Sequence, residues 1–243
     1  MLLRVLIRLS TLVAAFAWCG SVARLPAAWA ENRTAPVQGD YGQYFPRLVT
    51  RAMWQAKPAL AGMIPQQPTS IVLHHTGLRR NPGVSLEPKL RNLQSFSQRP
   101  VHRAAGRNDA SWPDVPYHFY LDASGRIAEG RDVRFAGDTN TGYDTRGHIQ
   151  VAIEGDFETE EPTLQQLEAL RDLLAWLMLS WNLTAERISV HKEHAPTDCP
   201  GRKFLAALPS VMAQTVDRHA AAIADLCRSG SSADFTKVYY RNR

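Results

Sequence analysis

The sequence predicts an α/β fold: a single domain with a central mixed β-sheet flanked by helices. Three observations lead to this prediction. Short apolar runs typical of buried strands alternate along the chain with longer segments of helical periodicity. Two neighbouring strands are separated only by a short turn containing glycine, which indicates a hairpin. No internal repeat is visible that would indicate a solenoid or a propeller.

The predicted strands are short and apolar. Ser70 to His75 is a β-branched apolar run, and Ile149, Val151 and Ile153 alternate with other residues as in a half-buried strand. Two more strands flank the turn at Ala-Ser-Gly125. The strands are therefore predicted at residues 70–75, 117–122, 126–129, 149–153 and 187–190.

The first predicted helix follows the candidate N-cap Ser85. Apolar side chains then recur at positions that share one helical face: Leu86, Leu90, Leu93 and Phe96. A polar loop with prolines and a glycine comes after this helix, so we expect the chain to return to the sheet only at the hairpin.

Two longer helices are predicted in the second half of the chain. Thr163-Leu-Gln-Gln166 has the form of a capping box, and a regular apolar stripe continues from it to Trp181. Ala206 to Cys227 is also expected to be helical, with a break at Pro209 because proline removes a backbone donor.

The N-terminus has the pattern of a secretory signal peptide. Arg4 and Arg8 precede an apolar stretch from Leu9 to Cys19, which is too short to span a bilayer comfortably, and Ala28-Trp29-Ala30 offers a small-residue cleavage site. We therefore expect residues 1–30 to be removed and the protein to be periplasmic or secreted, without stable membrane insertion after cleavage.

Lipidation at Cys19 and an uncleaved membrane anchor are the alternatives to cleavage. Behind the signal peptide, residues 31–46 are expected to form an N-terminal arm, residues 47–227 the folded domain and residues 228–243 a flexible tail. Loss of three arginines with the signal peptide lowers the formal charge from +5 to +2. The composition therefore gives no support to nucleic-acid binding, and the oligomeric state is not predicted.

The segment from His191 to Gly201 carries the chemistry of a metal site. It holds an imidazole and the thiol of Cys199 on a proline-containing loop, and the pair His74–His75 closes the strand at 70–75. Two histidines and one cysteine are good zinc ligands, and three protein ligands leave a fourth position for water. Both histidine sources lie at strand ends, where α/β sheets commonly place their sites.

Two other interpretations use the same cysteine. Cys199 could pair with Cys227 in a disulfide, since both remain after cleavage. Cys199 could also be the nucleophile of a cysteine hydrolase, with His191 or His74 as the base. The proline at position 200 argues against this second reading because it cannot supply a backbone N–H to an oxyanion hole.

Six blocks of sequence resemble, in order, the peptidoglycan recognition protein family, whose blocks also mark the zinc-dependent N-acetylmuramoyl-L-alanine amidases of bacteria and phages. The resemblance covers roughly residues 47–210. The blocks are Val49–Ala56, Ile71–Gly77, Val115–Phe119, Gly125–Arg131, Ile149–Phe157 and His191–Gly201.

This resemblance implies a zinc ligand set of His74, His191 and Cys199. His74 is preferred to His75 because the first histidine of the pair matches the family ligand, and because alternating side chains of a strand point to opposite faces. We expect His75 to pack or to hydrogen-bond behind the ligands. Asp198 is the alternative to Cys199, since carboxylate ligands occur in related amidases.

The resemblance also implies two catalytic side chains. The family's catalytic tyrosine falls on Tyr117, whose phenol would donate to the developing oxyanion or orient the attacking water. Thr197 occupies a position where the family stabilises the transition state. The acid that protonates the leaving amine is not identified by the pattern, and the candidates are His118, Glu193 and His194.

Four departures from the family pattern bear on substrate contacts. Pro116 stands where the family often has glycine, and the stretch 136–143 lacks a common histidine, leaving Asp138 or Thr139. Ala152 stands at about the position where related cytoplasmic amidases carry a glutamate, and the loop at 98–114 is longer than usual.

The resemblance therefore implies a zinc-dependent amidase that hydrolyses the amide between N-acetylmuramic acid and L-alanine, acting on peptidoglycan or a muropeptide. The alternative is a non-catalytic module that binds or senses peptidoglycan. Family members that only bind usually lack the cysteine ligand, whereas Cys199 is present here.

Overall fold

The structure is a computed structural model that describes residues 46–99 and 111–228. The predicted signal peptide, nearly all of the predicted arm and tail, and most of the long loop at 98–114 lie outside the described residues.

A six-stranded mixed sheet forms the centre of the described chain. The strand order is β1-β4-β3-β5-β2-β6. The β3–β4 pair is the predicted antiparallel hairpin, and the other neighbouring pairs are parallel. The predicted α/β fold with a mixed sheet is thus confirmed. The strands are β1 (Leu48–Val49), β2 (Ser70–His75), β3 (Phe119–Leu121), β4 (Ile127–Glu129), β5 (His148–Ile153) and β6 (Ile188–Val190).

The described residues also form three α-helices and two short 3-10 helices, of which α3 follows the last strand. The α-helices are α1 (Leu86–Ser97), α2 (Leu164–Trp181) and α3 (Arg202–Arg228), and the 3-10 helices are Ala185–Arg187 and His191–Glu193. Within the described ranges, no helix combines the length and apolar composition needed to cross a membrane.

Helix α2 begins with the predicted capping box. The Thr163 hydroxyl oxygen accepts from the Gln166 backbone N–H at 3.1 Å, and the Gln166 side-chain oxygen accepts from the Thr163 N–H at 3.1 Å. The same hydroxyl donates to the Ala123 carbonyl at 2.9 Å. The Thr163 side chain therefore pairs a backbone N–H group at the start of α2 that would otherwise have no partner within the helix. It also connects this helix start to the β3–β4 turn.

The main hydrophobic core lies between one face of the sheet and helices α2 and α3. Alternate strand residues such as Leu73, Phe119 and Val151 are fully buried there against Leu174 and Phe204. Burial of each large apolar side chain stabilises the folded state by about 1.5–3 kcal/mol relative to leaving it exposed to water. Because these residues alternate along their strands, their neighbours face the other side of the sheet.

A smaller cluster covers part of that other side. Leu86 and Leu90 of α1 pack there with Trp54, Tyr120 and Ala152, and the Trp54 indole N–H donates to the Glu129 carbonyl at 2.7 Å. Because His74 is the register partner of Ala152, its side chain leaves the sheet on this same face, beside the cluster.

The structure corrects three details of the sequence-based predictions. Helix α3 starts at Arg202 and runs through Pro209 without a break, because burial of residues on both sides of the proline outweighs one lost hydrogen bond. The strand predicted from Tyr117 begins only at Phe119, so Tyr117 lies in the preceding loop. The two-residue strand β1 was not predicted, since it is too short to show a period.

Candidate metal centre

Two adjacent parallel strands deliver the two histidines. His74 is the penultimate residue of β2, and His191 directly follows β6. Val190 is the register partner of Leu73, so the residues that follow these partners also lie side by side. The rings of His74 and His191 are 4.5 Å apart between their centroids, and both side chains are buried.

The loop after β6 folds back to place Cys199 beside β2. The Lys192 N–H donates to the Cys199 carbonyl at 3.0 Å, which closes the loop. The Cys199 thiol sulfur accepts from the His75 backbone N–H at 3.3 Å and lies 3.8 Å from Nδ1 of His74. No disulfide joins this buried cysteine to Cys227.

His74, His191 and Cys199 form a group that could hold a metal ion. One nitrogen of each imidazole and the sulfur all lie within 4.8 Å of one another. Asp198, the alternative ligand, is exposed and is not part of the group. His75 faces away, and its Nδ1 accepts from the Phe157 backbone N–H at 3.2 Å.

The protonation states of the two histidines favour the binding of a metal cation. Burial lowers the pKa of His191 to about 4, and the neighbouring His194 adds to this effect. Burial, followed by the proximity of His191, lowers the pKa of His74 well below its usual value. Both imidazoles are therefore neutral at pH 7 and can offer a lone pair to a metal.

The thiol gives a second reason why the group fits a cation. Burial raises the pKa of Cys199 to about 12, against a smaller opposing effect of the His75 backbone N–H. A thiol in this environment stays protonated unless a positive charge arrives, and a bound metal ion deprotonates a ligating thiol. The donor set therefore matches zinc, which favours nitrogen and sulfur ligands.

Two side chains near the histidines, Thr141 and Gln150, were not identified from the sequence. The Thr141 hydroxyl lies 2.6 Å from Nε2 of His191, and the Thr139 hydroxyl lies 3.3 Å from the same nitrogen. The Gln150 carboxamide is buried on the same face as the His74 imidazole, and its interaction with this ring opposes part of the lowering of the His74 pKa. Strand alternation could have indicated Gln150, because it lies two residues before Ala152 on the face of His74. Nothing in the sequence links Thr141 to His191.

Tyr117 and Thr197 lie close to the histidine–cysteine group. The Tyr117 ring is 5.4 Å from the His74 ring between centroids. Burial, with Cys199 and Tyr143 nearby, raises the pKa of its phenol, which therefore stays protonated at any physiological pH. The Thr197 hydroxyl accepts from the Cys199 backbone N–H at 3.2 Å and shapes the ligand loop.

The three candidates for the proton donor differ in environment. His118 is fully buried: Nδ1 accepts from the Gln150 backbone N–H at 2.7 Å, and Nε2 lies 2.9 Å from the Phe135 carbonyl. His194 is half-buried and its ring stacks on Tyr143 at 5.1 Å. Glu193 is exposed. Because both ring nitrogens of His118 contact backbone groups, we assign this residue a structural role and not that of the proton donor.

Two of the departures from the family pattern also have structural consequences. The Asp138 carboxylate pairs with the buried guanidinium of Arg131, so it is not directed at the metal group. Pro116 is buried, and its carbonyl accepts from the Asp138 N–H at 3.1 Å. Both residues therefore anchor the loop that carries Thr139 and Thr141.

Comparison with known proteins agrees with this geometry. Residues 65–202 match the family model of the N-acetylmuramoyl-L-alanine amidases. Peptidoglycan-recognition protein SD of Drosophila simulans is 28% identical over 167 residues, which cover 65% of this chain and 82% of that protein.

Two solved structures extend the comparison to three dimensions. The structure of the Drosophila peptidoglycan recognition protein SD has a TM-score of 0.57 and 25% identity, covering 67% of this chain and 94% of the other. That of the N-acetylmuramoyl-L-alanine amidase LysC from Clostridium intestinale has a TM-score of 0.52 and 27% identity, covering 70% and 97%. From the family match over more than half of its length, this chain belongs to the N-acetylmuramoyl-L-alanine amidase family.

Proposed function

We propose that the protein is an exported zinc-dependent amidase that hydrolyses the amide bond between N-acetylmuramic acid and L-alanine in peptidoglycan. The observation that carries this proposal is the convergence of His74, His191 and Cys199 on one face of the sheet, within 4.8 Å of one another. Membership of the amidase family supports the choice of substrate bond.

The three side chains would hold the ion through one nitrogen of each imidazole and the sulfur. A zinc ion with three protein ligands acts as a Lewis acid and lowers the pKa of a bound water to about 7. The chain contributes the two neutral imidazoles. The burial of His74, His191 and Cys199 limits the access of bulk water to these side chains.

Tyr117 and Thr197 would stabilise the negative charge that develops on the carbonyl oxygen. The raised pKa of Tyr117 keeps its phenol proton available as a hydrogen-bond donor. The Thr197 oxygen already accepts from the Cys199 N–H, so its hydroxyl proton is available to a substrate. Both donors are held by the fold before substrate binds, which avoids reorganisation during the reaction.

The leaving amine also needs a proton. With both nitrogens of His118 engaged in the fold, we favour His194 for this role over the exposed Glu193. The His194 ring stacks on Tyr143, which lies 5.5 Å from the His191 ring between centroids. The hydroxyl of Ser189 holds Nε2 of His194 at 2.8 Å.

A module that binds peptidoglycan without cleaving it is the second candidate function. The names of the relatives favour it, since the Drosophila proteins are described as recognition proteins. The two candidates differ in one measurable property, which is the release of peptide from the cell wall.

The test is digestion of purified sacculi with the zinc-loaded protein, with and without a chelator. We expect soluble stem peptides to be released, and we expect release to stop after complete zinc removal. Cys199→Ser should lose this activity, whereas the matched control Cys227→Ser, at the exposed end of α3, should retain it. Binding to sacculi without release would favour the recognition module. Full activity without zinc, or in Cys199→Ser, would contradict the metal mechanism.

A further inference from the structure

The loop between β4 and β5 contacts Nε2 of the His191 imidazole. The Thr141 hydroxyl oxygen lies 2.6 Å from Nε2, and it also lies 2.9 Å from the Thr139 hydroxyl oxygen. Thr139 in turn accepts from the Thr141 backbone N–H at 3.3 Å. The two hydroxyls and the imidazole of His191 therefore form a short hydrogen-bonded chain.

The direction of this chain decides which nitrogen of His191 can bind a metal. A neutral imidazole carries one proton, so one nitrogen donates and the other has a lone pair. If Nε2–H donates to Thr141, the Thr141 hydroxyl can donate onward to Thr139, and Nδ1 has the lone pair. If Thr141 donates to Nε2 instead, the proton sits on Nδ1 and blocks a metal there.

We propose that Thr141 is a positioning residue that accepts the Nε2–H of His191 and thereby holds Nδ1 as the metal-ligating nitrogen. The inference rests on the proposed function, because it concerns the ligand set of the proposed zinc site. Backbone carbonyls and carboxylates commonly orient ligating histidines in this way. In this chain a hydroxyl pair does so, while the loop carboxylates of Asp138 and Asp144 are paired with Arg131 and Arg146.

The same loop offers a control for purely structural effects. The Thr145 hydroxyl donates to the Gly137 carbonyl at 2.7 Å and so holds the loop together at its other end. Both threonines are half-buried. Replacing either one with valine removes a hydroxyl from the loop, but only Thr141 contacts His191.

The experiment compares Thr141→Val, Thr141→Ser and Thr145→Val with the unmodified protein. The measured quantities are the zinc dissociation constant, from competition with a chromogenic chelator, and the visible absorption of the cobalt-substituted protein. We expect zinc to bind Thr141→Val about 10–100-fold more weakly, with a changed cobalt spectrum. Thr141→Ser and Thr145→Val should remain within about threefold of the unmodified protein.

Two outcomes would overturn the inference. Equal zinc affinity in Thr141→Val and the unmodified protein would show that the hydroxyl does not position the ligand. An equal loss in Thr145→Val would assign the effect to loop folding.

A protein that binds no zinc at all would contradict the proposed function and leave the hydrogen-bond direction to a second measurement. Imidazole 15N chemical shifts of the metal-free protein report which nitrogen is protonated. The inference predicts protonated Nε2 on His191 in the unmodified protein and loss of this preference in Thr141→Val. Protonated Nδ1 in the unmodified protein would overturn it.

Discussion

His74, His191 and Cys199 meet because two adjacent parallel strands end at the same edge of the sheet and one loop returns to it. Each side chain is buried in a form that carries no charge, as the lowered histidine pKa values and the raised cysteine pKa show. A bound cation stabilises a buried group of this kind. The ion deprotonates the thiol, and its positive charge then neutralises the thiolate.

The role proposed for Tyr117 leads to a prediction at the residue scale. Tyr117→Phe should lower the turnover number about 10²–10³-fold, because it removes a donor to the developing oxyanion. Zinc affinity should not change, since the phenol is not a ligand. Turnover on a soluble muropeptide and the zinc dissociation constant are the two measurements.

Tyr120→Phe is the matched control for that substitution. Tyr120 is a buried tyrosine three residues further along, in the cluster with Ala152, and it is not placed at the metal group. Turnover should therefore stay close to that of the unmodified protein. Equal turnover in Tyr117→Phe and Tyr120→Phe would contradict the assignment of Tyr117.

The sequence indicated which side chains form the candidate metal group, but not the environment of that group. The three ligand candidates and Tyr117 could be named because they belong to short, ordered blocks of sequence. Thr141 could not, since it lies in an irregular loop fifty residues before His191 and only the tertiary fold brings the two together. The hydrogen-bond contacts of the His118 ring could not be predicted for the same reason, because its partners are backbone groups of other segments.

Among the elements, the three helices show how local and tertiary effects compete. Thr163 and Ser85 were both predicted as N-caps, and both occupy that position, yet only Thr163 makes a side-chain cap hydrogen bond. The run of α3 through Pro209 is a tertiary effect, since apolar residues on both sides of the proline pack against the sheet and α2. The local sequence predicted the capping box at Thr163, but it could predict neither the missing side-chain bond at Ser85 nor the continuation of α3 through Pro209.

The two caps give a paired prediction for stability. Thr163→Ala should lower the free energy of unfolding by about 1–2 kcal/mol, because its hydroxyl serves both Gln166 and Ala123. Ser85→Ala should change it by less than about 0.5 kcal/mol. Urea unfolding of the two variants measures the difference, and equal losses would contradict the assignment of the cap.

The end of the ligand loop gives a second prediction at the element scale. Gly201 has φ +94°, and a Cβ there would lie 2.5 Å from the Phe157 carbonyl carbon. Gly201→Ala should therefore shift the loop that carries Cys199, lowering both stability and zinc affinity. Gly62 has a similar φ of +99° but nothing within 4 Å of the added atom.

Gly62→Ala is thus the control for backbone strain alone. It should cost about 1–2 kcal/mol of stability and leave the zinc dissociation constant unchanged. Thermal unfolding and chelator competition measure the two effects. Zinc affinity that is unaltered in Gly201→Ala would show that the loop position does not determine the site.

For the whole molecule, one sheet supports both the core and the candidate metal group. Its first face is filled by α2 and α3, so the chain can fold around an apolar core that does not depend on the metal. The second face is covered in part by α1 and carries the three candidate ligands beside that cover. Metal binding should therefore add to the stability of a fold that already exists.

This arrangement predicts a measurable effect of metal removal. With free zinc at 100 times its dissociation constant, the free energy of unfolding should rise by about 2.7 kcal/mol relative to the metal-free protein. Cys199→Ser should lose most of this increment. Calorimetry with and without chelator measures it. A metal-free protein that is fully unfolded, or zinc that adds nothing, would contradict this account of the two faces.

The most direct test of the central claim is mass spectrometry of muropeptides after digestion with the zinc-loaded protein. We expect two products: stem peptides that begin with a free L-alanine amino group, and glycan fragments whose N-acetylmuramic acid carries a free lactyl carboxyl group. Cleavage at any other bond, or recovery of intact muropeptides only, would contradict the assignment of the protein as an N-acetylmuramoyl-L-alanine amidase.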